Sequence, residues 1–238
     1  MSHENLYQRA NRLKTAILST RVGAALRSPA GKLLRSWLFQ GVLYMAPDEL
    51  LFRLAVQAAV TAAVWWVLGL SGMLDGIVLI AVVHTLFWLG NSHFWALEIR
   101  EGRRLARNRP QVVKTYLTGL RSRCEKCASL ERCFVSGSLA RGAFGPYSDL
   151  DVACVPKPGR WHRIAVIAFG MRERFIAAVQ RMPVELYCYS GEALTRISPD
   201  ERRLVLKADA VGDRAGPNWV EWDRFWETSS AFFREGGV

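Results

Sequence analysis

The sequence predicts a domain of mixed helices and strands that follows an α-helical hairpin in a membrane. Two observations lead to this fold class. Uncharged apolar runs occupy residues 54–74 and 76–97, and beyond Pro110 short apolar strand patterns alternate with helical patterns. A membrane-spanning helix needs about 20 mostly apolar residues, which each run supplies. Half of the 238 residues are apolar, which excludes a disordered chain.

The predicted hairpin covers residues 51–98 and begins after Pro47 and Asp48. Asp75 and its small neighbours separate the two apolar runs, so we expect a tight turn there and two antiparallel helices. The alternative is a buried helical hairpin in a soluble domain. The rest of the chain offers little apolar surface to cover two such helices, which favours the membrane.

Residues 1–50 are predicted to form basic amphipathic helices. One apolar stripe recurs about once per turn before a break at residues 28–31, and a second follows it with Trp37 at its centre. Basic helices with tryptophan and leucine on one face suit a membrane interface. Packing of these helices on the soluble domain is the alternative.

The distribution of charge predicts the orientation in the membrane. The net charge is +11, of which +7 lies in residues 1–110 and +4 in residues 111–238. The turn between the apolar runs has no lysine or arginine, whereas both outer flanks are basic. The positive-inside rule then places both termini and the following domain in the cytoplasm, as a two-pass protein of the cell (inner) membrane. No signal peptide is expected, because the N-terminus is polar and the first apolar run starts late.

The domain at residues 110–238 is expected to alternate helices and strands. Pro110 begins a helix that extends to about residue 131, and a second helix covers residues 161–181. Strands are predicted at residues 133–136, 149–155 and 184–189. Residues 191–210 have a helical pattern with a break at Ser198 and Pro199. A terminal helix at residues 219–234 carries an aromatic stripe that is more typical of packing than of base stacking.

The stretch from Val135 to Val152 carries the most chemistry. A Gly137-Ser138 turn follows an apolar strand, and about a dozen residues later come Asp149 and Asp151. Residues i and i+2 of a strand point to the same face, so both carboxylates lie on one side. Adjacent carboxylates repel each other unless a cation lies between them, and Mg²⁺ is commonly held by one or two carboxylates and substrate phosphates. A glycine turn allows backbone N–H groups to approach a phosphate.

This stretch resembles the signature of the DNA polymerase beta-like nucleotidyltransferase superfamily, in particular its minimal nucleotidyltransferase domains. The matching residues are Gly137-Ser138, Arg141-Gly142 and the run from Ser148 to Val152. The resemblance covers roughly residues 112–211. It implies an α+β (α/β) nucleotidyltransferase domain with a small mixed sheet flanked by helices.

The resemblance also implies roles for individual residues. Asp149 and Asp151 would ligate two Mg²⁺ ions together with a third carboxylate on a later strand, for which Glu185 in an apolar setting is the candidate. These three are the predicted catalytic and metal-binding residues. The predicted nucleotide-binding residues are Gly137, Ser138, Arg141 and Ser148. Two alternatives remain open: Ser138 could be a helix N-cap, and Arg141 could form a structural ion pair.

The expected function is therefore transfer of a nucleoside monophosphate, with ATP as the expected donor, to a hydroxyl acceptor with release of pyrophosphate. The acceptor would be a lipid, a small molecule or a protein at the bilayer. A nucleic-acid partner is not expected, because the basic excess lies in the first half of the chain and not around the motif. The alternative is a nucleotide-binding regulatory or antitoxin-like membrane module without transfer activity.

The cysteines and one histidine each allow two interpretations. Cys124 and Cys127 have zinc-ligand spacing, but a second such pair is missing, whereas Cys133, Cys154 and Cys188 fall on predicted strands as small apolar residues. His84 lies near the middle of the second apolar run. It marks either a polar contact between helices or a tolerated neutral side chain.

Overall fold

The computed structural model describes residues 28–40, 45–91, 107–189, 201–208, 218–227 and 231–235. The chain divides into two compact units, Met1–Leu97 and Glu98–Val238. The first apolar stripe predicted near the N-terminus and the end of the second apolar run, at residues 92–97, lie outside the described residues.

The first unit contains three described helices: α1 (Pro29–Phe39), α2 (Pro47–Leu68) and α3 (Met73–Gly90). Helix α1 begins where the sequence predicts a break, because the Ser28 side chain accepts a hydrogen bond from the Gly31 N–H and caps it. Helix α2 ends at Gly69, whose φ of 60° lies in the left-handed region.

The turn between the two apolar helices lies earlier than predicted. Asp75 does not form the turn. It is in the first turn of α3, where its carboxylate accepts a hydrogen bond from the Gly72 N–H at 3.3 Å. An acidic side chain near a helix N-terminus satisfies an otherwise unpaired N–H, and this preference moves Asp75 into the helix.

Helices α2 and α3 are both long and apolar enough to cross a membrane. Only 6% and 17% of their apolar windows, respectively, are buried. Trp66 and Met73 are among the exposed apolar side chains, each 83% accessible. Such exposure is what lipid-facing helices require, and it differs from the buried hairpin that a soluble domain would enclose.

A polar contact at His84 links the three helices, which decides between the two alternatives that the sequence left open. Its Nδ1 is 3.1 Å from the Gln57 amide nitrogen, and its Nε2 is 2.9 Å from the Trp37 carbonyl oxygen. These partners fit a neutral ring that carries its proton on Nε2, since Gln57 then donates to Nδ1. Trp37 also donates its indole N–H to Thr85 at 3.0 Å, which attaches α1 to α3.

The second unit is an α+β domain with a five-stranded mixed sheet, which confirms the predicted class. The described elements are α4 (Pro110–Lys126), β1 (Leu130–Ser136), α5 (Gly137–Ala140), β2 (Leu150–Pro156), α6 (Arg160–Val179), β3 (Val184–Cys188), β4 (Arg203–Ala208), β5 (Trp219–Val220), α7 (Trp222–Glu227) and α8 (Ala231–Glu235). The strand order is β3-β2-β1-β4-β5. Strand β1 is antiparallel to β2 and β4, whereas β2–β3 and β4–β5 are parallel pairs.

The two faces of the sheet differ in chemistry. Helix α6 packs on the face that carries Leu186 and Cys188, because Gly170 lets it approach: a Cβ there would lie 2.9 Å from the Leu186 side chain. Helix α4 covers the same face, where Cys124 neighbours Cys133. Strand alternation directs Glu185 to the opposite face.

The three strand cysteines are buried free thiols, which confirms their reading as small apolar residues. Cys133 and Cys154 are directly paired across β1 and β2, with their sulfur atoms 3.7 Å apart. Hydrogen bonds with the neighbouring thiols of Cys124 and Cys154, together with burial, raise the pKa of Cys133 well above its usual range. These thiols therefore contribute packing in this structure.

Three predicted helical segments are corrected by the structure. The helix from Pro110 ends at Lys126, because strand β1 already begins at Leu130. Residues 203–208 were predicted to be helical, but they form β4, since Leu204 and Leu206 become buried when this segment pairs with β1. Residues 191–200 of that prediction lie outside the described residues. The predicted terminal helix is instead a short strand followed by two short described helices.

Candidate functional site

The acidic residues singled out from the sequence converge at one end of strands β2 and β3. Asp151 on β2 and Glu185 on β3 are direct partners in the parallel register, and Asp149 immediately precedes β2. Each offers one carboxylate oxygen, and these oxygens all lie within 4.8 Å of one another. All three residues are half-buried. Residues on two strands separated by a helix thus form one acidic cluster of Asp149, Asp151 and Glu185.

The electrostatics of the acidic cluster fit a site for a cation. Burial, together with the neighbouring Asp149, Glu185 and Glu201 carboxylates, raises the pKa of Asp151 to about 6, and Arg141 opposes this shift. Repulsion of this kind is relieved by a bound cation. Three carboxylates form the hard oxygen donor set that Mg²⁺ prefers. The residues present therefore fit a magnesium site, with Asp149, Asp151 and Glu185 as the ligands.

Tyr187 orients one of the three carboxylates and was not singled out from the sequence. It lies two residues after Glu185 on the same face of β3, and its hydroxyl donates a hydrogen bond to Glu185 Oε2. Burial raises the pKa of Tyr187, and the adjacent Glu185 raises it further, so the hydroxyl keeps its proton. The i and i+2 spacing is the signal that could have identified it.

The Gly-Ser turn lies against the acidic cluster. Gly137 has a φ of 72°, and a Cβ at this position would lie only 2.2 Å from Asp151 Oδ2. The position thus requires glycine both for its backbone and for its space. Ser138 follows as the second residue of α5, so it is not the N-cap, which is Ser136. Its Oγ is buried and has no hydrogen-bond partner among the described residues, so the hydroxyl is available to a ligand.

Arg141 and Ser148, the other predicted nucleotide-binding residues, have protein partners. Arg141 is exposed and lies 3.9 Å from Glu201 Oε1. Ser148 Oγ accepts a hydrogen bond from the Gly145 N–H at 3.0 Å and shapes the loop before Asp149. The amide of Asn108 holds this loop by donating to the carbonyl oxygen of Ser148 at 2.7 Å. In the structure, Ser148 therefore stabilises the loop that leads to Asp149.

Glu201 is a second residue at the site that was not singled out from the sequence. Its Oε1 accepts a hydrogen bond from the Gly137 N–H at 3.4 Å and forms the ion pair with Arg141. A carboxylate therefore contacts the two groups that the motif assigns to a phosphate. No local signal marks Glu201, because it lies within the stretch predicted to be helical and reaches the turn only through the pairing of β4 with β1.

Comparisons with protein-family models, with curated protein sequences and with solved structures find no match to this chain. The class that fold and site define is an α+β domain with a carboxylate cluster on a mixed sheet beside a glycine turn.

Proposed function

We propose that this protein is a membrane-anchored nucleotidyltransferase of the DNA polymerase beta-like type. It transfers a nucleoside monophosphate, with ATP as the expected donor, to a hydroxyl acceptor and releases pyrophosphate. The observation that carries the proposal is the approach of Asp149, Asp151 and Glu185 to within 4.8 Å beside a glycine turn. The cluster would hold the metal at the place where the turn offers backbone N–H groups to a triphosphate.

Each residue of the site has a task in this reaction. The turn at Gly137 and the buried hydroxyl of Ser138 bind the triphosphate, and Arg141 neutralises part of its charge. Asp149, Asp151 and Glu185 hold Mg²⁺, which when bound would polarise the triphosphate and acidify the acceptor hydroxyl. A bond forms between the acceptor oxygen and the α-phosphorus while the bond from that phosphorus to the pyrophosphate oxygen breaks.

The acceptor proton also needs a destination. Glu185 is suited to receive it, because Tyr187 engages only one of its carboxylate oxygens through a described hydrogen bond and keeps the side chain in place. Acceptors at a bilayer fit the two apolar helices of the first unit: a lipid head group, a lipid-linked molecule or a membrane protein. A small soluble acceptor is equally compatible with the carboxylate cluster.

The test is label transfer by the full chain in lipid nanodiscs. The protein is incubated with ATP labelled at the α-phosphate, with a membrane extract, and with Mg²⁺ or a chelator. We expect Mg²⁺-dependent labelling of an acceptor that mass spectrometry identifies. The Asp151→Asn protein should lose this labelling, and Asp223→Asn, which changes an exposed carboxylate on α7, should keep it.

Two outcomes would overturn the proposal. One is pyrophosphate release by the Asp151→Asn protein at the normal rate. The other is saturable ATP binding without transfer to any fraction of the extract, which would favour the nucleotide-binding regulatory or antitoxin-like module.

A further inference from the structure

We propose that a basic cavity between α4 and α6 is a second binding site, for an organic phosphate with a compact apolar body. The cavity has a volume of about 370 Å³, and its lining includes Arg123, Lys126, Phe169 and Arg172. Both helices cover the face of the sheet opposite to Glu185. The basic cavity is therefore distinct from the acidic cluster, and its assignment does not depend on the proposed transfer activity.

A buried carboxylate organises the basic cavity. Glu173 is fully buried, and both of its oxygens accept hydrogen bonds from Arg123 Nε, at 3.0 and 2.8 Å. Arg172 Nη2 donates to the same carboxylate at 2.9 Å. A buried charge is retained only when it is paired, so Glu173 fixes both guanidinium groups at the rim of the cavity. Their geometry is set before any ligand arrives, which lowers the entropic cost of binding.

Two donors beside this network have no acceptor among the described residues. Arg123 Nη2 is buried and unpaired, and so is the hydroxyl oxygen of Tyr116, over whose ring the Arg123 guanidinium lies at 5.9 Å. Buried polar atoms are nearly always hydrogen-bonded, because an unpaired one destabilises the fold. Both atoms are closed to solvent, so a ligand in the cavity would meet the accessible parts of the cationic side chains that line it.

The charge and the apolar surface of the cavity define the class of ligand. Three cationic side chains line it, and Glu173 offsets one of them, which leaves a net charge of plus two. A phosphate monoester carries about two negative charges at neutral pH, and guanidinium groups match phosphate geometry. Phe169 and Ala168 line the cavity beside these cations, and the Arg172 guanidinium lies 5.2 Å from the Phe169 ring centroid. An apolar group on the ester would pack on this surface.

The test uses phenyl phosphate as the probe and calorimetric titration of the full chain in nanodiscs. We expect saturable binding of phenyl phosphate. In the Arg172→Gln protein this binding should weaken by about tenfold to hundredfold, because the variant loses a charge-assisted hydrogen bond to the ligand. Arg172 is 56% exposed, and Glu173 keeps Arg123 as a partner, so this variant should fold. Ala168→Trp fills the cavity from an exposed position and should also weaken binding. The control is Arg160→Gln, which removes an exposed arginine at the start of the same helix.

The controls separate this site from the acidic cluster and from a general attraction of anions. Equal affinities of Arg172→Gln, Arg160→Gln and the unaltered protein would overturn the proposal, as would the absence of saturable binding. Loss of binding in Asp151→Asn would place the probe in the acidic cluster and would also overturn it. Inorganic phosphate must bind at least about tenfold more weakly than phenyl phosphate, because it lacks the apolar group. Equal affinities for inorganic phosphate and phenyl phosphate would overturn the proposal.

A competition experiment identifies the source of the ligand. Nanodiscs that contain phosphatidic acid are compared with nanodiscs of phosphatidylcholine alone. Displacement of phenyl phosphate by phosphatidic acid assigns the site to a lipid head group. Unchanged binding of the probe in both kinds of nanodisc assigns it to a free organic phosphate.

Discussion

Replacing Asp151 by asparagine should stabilise the metal-free protein at neutral pH. Burial, Asp149, Glu185 and Glu201 raise the pKa of this carboxyl from 3.8 to about 6, so the folded state disfavours the charged form. Such a change corresponds to a loss of about 3 kcal/mol of folding stability at pH 7. Because the side chain is partly exposed and solvent screens its neighbours, we expect about 1–2 kcal/mol.

The sign of the effect sets its pH window. A carboxyl with a raised folded-state pKa destabilises the protein above that pKa. This loss of folding stability decreases as the pH falls from about 6 towards 3.8. Asp151→Asn should therefore raise the melting temperature at pH 7 by about 2–6 °C and leave it nearly unchanged at pH 4. Added Mg²⁺ at ten times its dissociation constant should stabilise the unaltered protein by about 1.4 kcal/mol and should not stabilise the variant.

The assay is thermal unfolding of the full chain in non-ionic detergent, followed by tryptophan fluorescence at pH 4 and pH 7. Asp223→Asn serves as the matched control, because it removes an exposed carboxylate outside the acidic cluster. An Asp151→Asn protein that melts at or below the temperature of the unaltered protein at pH 7 would refute the reasoning. A stabilisation that is equally large at pH 4 would also refute it, since charge would then not be its cause.

Two further predictions concern the neighbours of Asp151. Gly137→Ala should abolish the stabilisation by Mg²⁺, because its Cβ would displace the Asp151 carboxylate, whereas Gly142→Ala at a similar φ of 75° has open space and should lose only about 1 kcal/mol of stability to backbone strain. Equal responses to Mg²⁺ in the two alanine proteins would contradict this. Glu201→Gln removes one of the charges that raise the pKa of Asp151, so the pH at which stability changes should move below about 6 in the same melting series. An unchanged midpoint would show that Glu201 does not act on Asp151.

The acidic cluster was predictable because each part of it has a local signal. Asp149 and Asp151 are two residues apart at the start of a strand, and Glu185 is an ionisable side chain between apolar neighbours, where it is costly without a role. The pairing of Asp151 with Glu185 follows once β2 and β3 are adjacent and parallel. The sequence thus carries the residues of the acidic cluster and the first three strands, whereas the order of these strands in the sheet comes from the structure.

The parts of the fold and of the site that were not predicted depend on contacts between distant parts of the chain. Leu204 and Leu206 fit a helix as well as a strand, and the open edge of β1 decides in favour of a strand. Glu201 reaches the glycine turn through that pairing. Because β4 was wrongly predicted to be helical, Glu201 was not recognised as a residue of the site. The position of Asp75 was predicted wrongly because a carboxylate is equally common in a tight turn and in the first turn of a helix.

The parallel register of β2 and β3 also determines when the site can exist. There are 33 residues between Asp151 and Glu185, and they must close into a crossover before the two carboxylates meet. Closing a loop of this length costs chain entropy before any contact compensates for it, so non-local pairing of this kind forms slowly. A folding intermediate that contains only the antiparallel pair of β1 and β2 would hold Asp151 but lack its partner. The proposed affinity for metal should therefore emerge in refolding only with the docking of β3, and a metal pulse during refolding would report the time of that step.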